Sequence, residues 1–281
     1  MSASPSRPRK PAARSTPRAT PAPIIAVASG KGGVGKTWLA VTLACLFARQ
    51  ARRTLLVDGD LGLANADVQL GVRAQSDLAA VQRGWIALED AIAPVFGGVG
   101  QAGGFDLLPG SSGTGALADL SAADVGLIAN GVSSLALHYD RVVLDLAAGV
   151  DHGVLRLAET ADRLVVVTNE EPTAMADAYA LIKLLHARGK APLPFIAVNM
   201  VEKRLNGRRV YDHLCKVAEQ HLRLKPALAG IIRRDPRIPD SIRAQTPLPL
   251  RHPAADALDD VLSLVEGLAL ARPSGHASRG G

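Results

Sequence analysis

The sequence predicts a single doubly wound α/β domain: a mainly parallel sheet covered by helices on both faces. Three observations carry this. Short apolar runs rich in β-branched residues alternate with longer segments of helical period. The runs are apolar throughout rather than alternating, as strands buried on both faces require. No internal repeat or Pro/Gly linker divides residues 24 to 271, so the segments form one unit.

The elements follow in order. "PIIAVAS" supplies the first strand, Ile24 to Ser29, and a helix runs from about Lys36 to Gln50. "TLLVD" is a second strand, followed by a loop and short helices. "FDLLPG" precedes a helix beginning near Ser121, where Asp124 three positions on makes a capping-box start. "YDRVVLDL", "DRLVVVTN", "PFIAVNM" and "ALAGII" are four further strands, each leading into a helical stretch. Ligands of such a sheet sit at the carboxyl ends of its strands.

With 281 residues, 48% of them hydrophobic, the chain can bury a large core. Its net charge of +6 is unevenly placed. Residues 1 to 23 carry Arg7, Arg9, Lys10, Arg14 and Arg18 with no acid, and Arg272 and Arg279 follow the last apolar segment. Without them the body is close to neutral, so the basic excess belongs to the tails. Residues 1 to 23, rich in Pro, Ser, Ala and Arg, are expected to be a disordered tail, and 272 to 281 a flexible one. The apolar run "IIAVAS" is too short for a secretory signal, and no uncharged stretch approaches the length of a membrane span. Cys45 and Cys215 lie far apart without a CxxC pattern, which suits reduced thiols in a cytoplasmic protein.

"GKGGVGKT", Gly30 to Thr37, fits GxxxxGK[ST] and sits between a strand and a helix, where a phosphate loop must sit. Gly32, Gly33 and Gly35 let the backbone curl until its N–H groups face inward as an anion nest. Lys36 would reach the β- and γ-phosphates, and the Thr37 hydroxyl would ligate Mg²⁺. Gly30 to Trp38, with Lys31 and Val34 among them, form the predicted cradle. The second strand ends in "DGD", and Asp58 and Asp60 there suit metal-shell and water-orienting roles, Asp58 being nearer the magnesium shell. Asp145, after the apolar run Val142 to Leu144, would hold Mg²⁺ through water or Thr37, with Gly149 close behind. "VNMVEK" lacks the Lys and Asp of a guanine site, so ATP is the expected nucleotide.

Lys31 is a second lysine that a phosphate loop alone does not need. "KGGVGKT" resembles the deviant Walker A motif of the MinD/ParA class of ATPases. The resemblance implies that Lys31 crosses an ATP-dependent homodimer interface to the partner's γ-phosphate, as an arginine finger would. It also implies that Asp60 orients the attacking water, that Asn199 hydrogen-bonds the adenine edge, and that "GIIRRDPRIPDSIR" covers the base. The chain departs from the class at Leu146 and Ala147, after the Walker B acid, and at Arg233, where relatives usually have proline.

"DGDLGLANADVQLGV", "FDLLPGSSG", "NEEPTAMADAYALIKLL" and "SIRAQTPLPLRHPAADAL" resemble the flagellar-number ATPases FlhG and FleN, over roughly Ile24 to Leu270. That resemblance implies a slow Mg²⁺-dependent ATPase that controls flagellar number or placement through flagellar assembly or regulatory proteins. Residues 1 to 23 hold no DQAxxLR element, and Ala255 to Ala271 carries four acids and no Lys or Arg. That last helix is expected to pack on the domain, while a peripheral position at the inner face of the cell membrane stays open. The alternative is a MinD/ParA-type positioning ATPase acting in cell division or DNA partition, for which Lys203, Arg204, Arg208, Arg209, Arg233, Arg234 and Arg237 would form a phosphate-contacting patch. An iron-protein relative is excluded by the absence of cluster cysteines, and a tyrosine-kinase relative by the absence of a C-terminal tyrosine cluster.

Overall fold

The computed structural model describes residues 17–110, 121–190 and 192–270. Most of the N-terminal tail, the C-terminal tail and Ser111 to Gly113 of the "FDLLPGSSG" segment lie outside them. The chain runs β1 (Ile24–Ser29), α1 (Lys36–Arg49), β2 (Thr54–Gly59), α2 (Ala66–Leu70), α3 (Leu78–Gln82), β3 (Ala93–Val95), β4 (Phe105–Leu108), α4 (Ala122–Leu135) and β5 (Arg141–Ala148). It continues with α5 (His152–Ala158), β6 (Arg163–Thr168), α6 (Pro172–Arg188), β7 (Pro194–Val201), α7 (Arg204–Leu222), β8 (Ala227–Arg233), α8 (Arg237–Arg243), α9 (Leu248–Arg251) and α10 (Asp256–Leu270).

The strands form one sheet in the order β3-β4-β2-β5-β1-β6-β7-β8. Every neighbouring pair is parallel except β3 and β4. Because side chains alternate across a strand, each apolar run feeds two cores. Ile24, Ala26 and Ala28 enter the layer under α4 to α7, while Ile25 and Val27 enter the layer under α1 and α10. This double burial explains the uninterrupted apolar runs. The antiparallel β3 was not apparent from sequence: it has three residues and a central Pro94, and its place at the sheet edge tolerates the missing N–H.

Local signals act where they were expected. Ser121 Oγ accepts from Asp124 N at 3.2 Å, and Asp124 Oδ2 accepts from Ser121 N at 3.1 Å, closing a capping box on α4. The C-terminal helix α10 packs on the domain, burying Leu258, Val261, Leu264 and Leu268 beside β8 and α1. Its buried Asp260 binds the Arg233 side chain at 2.8 Å and also pairs with Arg204. Both cysteines are free and buried, and burial pushes the Cys45 thiol up to about 12.

One boundary is corrected. The N-terminal tail does not remain separate up to residue 23, because Ala22 is 4% exposed and donates its N–H to Ala136 O at 2.7 Å. Arg18 donates its N–H to Leu137 O at 2.9 Å and its side chain pairs with Asp140. A small apolar side chain and a half-buried acid at the sheet's end dock these last tail residues.

Candidate active site

The loop from Gly30 to Thr37 joins the end of β1 to the start of α1 at the centre of the sheet, between β5 and β6. Its shape is held by backbone constraints. A Cβ on Gly30 would lie 2.1 Å from the Asp177 carbonyl oxygen, so α6 packs directly on the loop's first residue. Gly35 has φ +88°, and a Cβ there would meet Asn199 Nδ2 at 2.3 Å. As N-cap of α1 it offers no side-chain acceptor, so the first-turn N–H groups are left for an anionic ligand. Gly32 and Gly33 are exposed on the loop, and Val34 and Trp38 are buried beneath it. Gly149 donates its N–H to Ser29 O at 2.9 Å, tying the end of β5 to the start of the loop.

Lys36 is 8% exposed, with Nζ 3.6 Å from Asp145 Oδ1. Neither carboxylate oxygen of Asp145 has a hydrogen-bond partner, although the side chain is almost fully buried. Burial raises its pKa, and Lys36 and the Thr37 hydroxyl oppose that rise. A buried carboxylate with unused oxygens next to a lysine, at the mouth of an anion nest, fits a Mg²⁺–nucleotide.

Asp58 lies opposite Asp145 in the β2–β5 register. The sequence reading put it near the magnesium shell, and the structure gives its oxygens different partners. Oδ1 accepts from Asp60 N at 3.1 Å, and Oδ2 accepts from Asn65 N at 3.0 Å and Ala66 N at 2.9 Å. Asp58 therefore shapes the loop after β2 and caps the start of α2. Asp60, nearer solvent, uses Oδ1 to accept from Leu63 N at 2.9 Å.

Burial and the facing Asp145 push Asp58 up to about 7, against the pull of those backbone N–H groups. The folded state thus binds a proton that the unfolded chain releases near pH 4, and stability falls as pH rises from about 4 through 7. The nucleotide-free protein should melt lower at pH 8 than at pH 6, and Asp58→Asn should flatten that difference in thermal scans.

Lys31 does not fold back onto its own loop. Its Nζ binds Glu171 Oε2 at 2.5 Å and Thr173 Oγ1 at 2.9 Å, at the start of α6. This ion pair and hydrogen bond lower the pKa of Glu171. Asn169 shapes the turn, its Oδ1 accepting from Glu171 N at 3.0 Å. Glu171, Thr173 and Asn169 were not identified as site residues from sequence. The available signal was "NEEPT", whose proline starts a helix immediately after a strand.

Asn199, expected to read adenine, is 1% exposed. Its Nδ2 donates to Val34 O at 2.8 Å and its Oδ1 accepts from Met200 N at 2.9 Å. It buttresses the phosphate loop from β7, where Met200 adopts φ +59°. Asn199→Ala should leave the Val34 carbonyl unpaired and weaken ATP binding by about tenfold, the worth of one buried hydrogen bond, as read by titration with a fluorescent nucleotide.

The basic patch considered for DNA is largely neutralised. Arg204 and Arg233 pair with Asp260, Arg208 with Asp212, Arg234 with Glu202 and Arg237 with Asp235. No helix among the described residues is long and apolar enough to cross a membrane.

Comparison with known proteins agrees with this geometry. Residues 25–248 match the family described as the CobQ/CobB/MinD/ParA nucleotide binding domain. The antiactivator FleN of Pseudomonas aeruginosa is 34% identical over 260 residues, covering 91% of each chain. The flagellum site-determining protein YlxH of Helicobacter pylori is 34% identical over 202 residues, 71% of this chain and 65% of that protein. The septum site-determining protein MinD of Pyrococcus horikoshii, solved with Mg-ADP, superposes with a TM-score of 0.74 at 25% identity, over 88% of this chain and 96% of that one. With its phosphate loop, buried Walker acid and second lysine, the chain belongs to the CobQ/CobB/MinD/ParA nucleotide-binding family and is an ATPase that uses ATP and Mg²⁺.

Proposed function

We propose that the protein is an ATP-dependent dimerisation switch that controls flagellar number or placement through flagellar assembly or regulatory proteins. The position of Lys31 carries this reading. Lys36 already occupies the inward, buried phosphate position beside Asp145, whereas Lys31 sits at the rim, 35% exposed, held by an acid and a hydroxyl on α6. An exposed pair of this kind is weak and easily exchanged. When two mouths meet, Lys31 leaves Glu171 for the partner's γ-phosphate. The flagellar role is supported by the similarity to FleN and YlxH along the domain.

The residues then divide the work. The loop N–H groups and Lys36 hold the phosphates, and Thr37 with Asp145 would hold Mg²⁺, directly or through water. The ion would neutralise charge on the β- and γ-phosphates. Asp60, on the loop shaped by Asp58, orients water toward the γ-phosphate. Light scattering with a non-hydrolysable ATP analogue should show dimers and with ADP monomers. Monomers in both states would refute the switch. Deletion in the source cell should change the number of flagella per cell, and unchanged flagellation would refute the flagellar assignment alone.

A further inference from the structure

The turn that carries Asp60 hangs between two anchors. One is Asp58, whose carboxylate accepts from Asp60 N, Asn65 N and Ala66 N. The other is α2, the five-residue helix that follows the turn. A helix this short does not hold itself in water, because its few hydrogen bonds do not offset the cost of nucleation. Its place is set by what binds its two ends. Asp58 takes the first N–H groups, and the last turn must find donors for its carbonyls.

Gln245 supplies one from a distant part of the chain. It lies in the linker between α8 and α9, 177 positions from Val68, and its Nε2 donates to Val68 O at 2.8 Å. Among the described residues, the other hydrogen bonds of α2 stay within residues 58–72. Gln245 has φ +50°, a left-handed conformation that side-chain-bearing residues rarely take. Its N–H and that of Thr246 close a turn onto Ile242 O at 3.0 Å and Ser241 O at 3.1 Å. Strain of this kind persists where the surrounding contacts over-determine it. Gly71, the C-cap of α2, faces the glutamine, and a Cβ there would lie 3.0 Å from Gln245 Oε1 and 3.1 Å from Gln245 Cβ. The glycine that ends α2 thus also makes room for the side chain that holds it. At the tip of the turn Leu63 is 72% exposed, so the tip is placed by the turn's ends rather than by packing of its own.

We propose that Gln245 is a positioning residue for ATP hydrolysis: it clamps the far end of α2 and so fixes the turn that aims Asp60. This rests on the reading of Asp60 as the residue that orients the attacking water. The hydrogen bonds of Gln245 fall on α2 and on its own linker, not on the phosphate loop. Loss of the clamp should therefore slow hydrolysis and leave nucleotide binding alone.

Gln245→Asn tests this without adding strain, since asparagine tolerates left-handed backbone but is one methylene too short to reach Val68. Its kcat should fall about fivefold, the worth of one hydrogen bond. ATP affinity, read by titration with a fluorescent nucleotide, should stay within about twofold of wild type. Tm should stay within about 2 °C, while hydrogen exchange of the amides in residues 60–72 quickens and that of the core strands does not. Gln245→Lys keeps a donor of similar reach and should retain most of the wild-type kcat. Wild-type kcat or wild-type exchange at 60–72 in Gln245→Asn, a parallel loss of ATP affinity, or a lysine variant as slow as the asparagine one would each overturn the proposal. Asp60→Ala separates the two readings. If it keeps wild-type turnover, the role of Asp60 fails and the clamp's role with it; if it abolishes turnover while Gln245→Asn does not slow it, the clamp alone fails.

Discussion

Lys31→Ala should lower ATP turnover by about 10³-fold while ATP binding to the monomer stays within about threefold of wild type. The split follows from geometry. In one chain Lys31 contacts Glu171 and Thr173, not the cradle, so its removal costs the monomer no phosphate contact. In the dimer it would stabilise charge on the partner's γ-phosphate, and a cation supplied in this way contributes 10³ to 10⁵ in kcat, about 4 kcal/mol or more of barrier. The effect should reach across the interface. Mixing Lys31→Ala chains with chains inactivated at Asp60 by Asp60→Ala should restore part of the activity, because a heterodimer then pairs one intact catalytic site with one intact lysine. A Lys31→Ala variant that keeps wild-type turnover, or a mixture no more active than its components, would remove the in-trans role.

Lys36→Met should abolish measurable turnover, weaken ATP binding at least ~100-fold, and destabilise the nucleotide-free protein. Loss of charge-assisted contacts to two phosphates accounts for the affinity. The stability effect has a separate cause. Lys36 is the cation beside Asp145, and Asp58 faces the same acid across the β2–β5 register. With the ammonium gone, two buried carboxyls are left without a counter-charge, a change that costs about 3 kcal/mol when one partner of a buried pair is removed. In a domain of this size that is roughly 6 to 12 °C in Tm. Adding Asp145→Asn should recover most of the melting temperature, since an amide needs no counter-ion, and none of the ATP affinity. Parallel recovery of both would mean that Lys36 acts on nucleotide only through the fold.

The parts of the site that were legible in the sequence are those made by consecutive residues. Gly30 to Thr37 is a phosphate loop because glycines and one lysine at fixed spacing are sufficient to curl a backbone. Asp145 was legible because an acid directly after an apolar strand run, Val142 to Leu144, is rarely there for packing alone. Asp58 and Asn199 take partners that the sequence did not give, for one shared reason. Each is a buried polar side chain whose partners are backbone groups in loops, and a sequence does not say which orphaned N–H or C=O will be nearest. The pairing within the basic patch was hidden for a related reason: five of its arginines meet acids that the residue list alone cannot pair with them.

The sequence by itself determined the strand–helix alternation, the double burial of the sheet, the phosphate loop and the family. All of these are set by periodicity and short-range geometry, which survive without knowledge of neighbours. The tertiary structure alone decided that Lys31 rests on Glu171, 140 positions away, that Asn199 holds the carbonyl of Val34, 165 positions away, and that three strands bring their arginine-bearing ends together. Such contacts are chosen by strand order and helix docking, which depend on how the whole chain closes around its two cores.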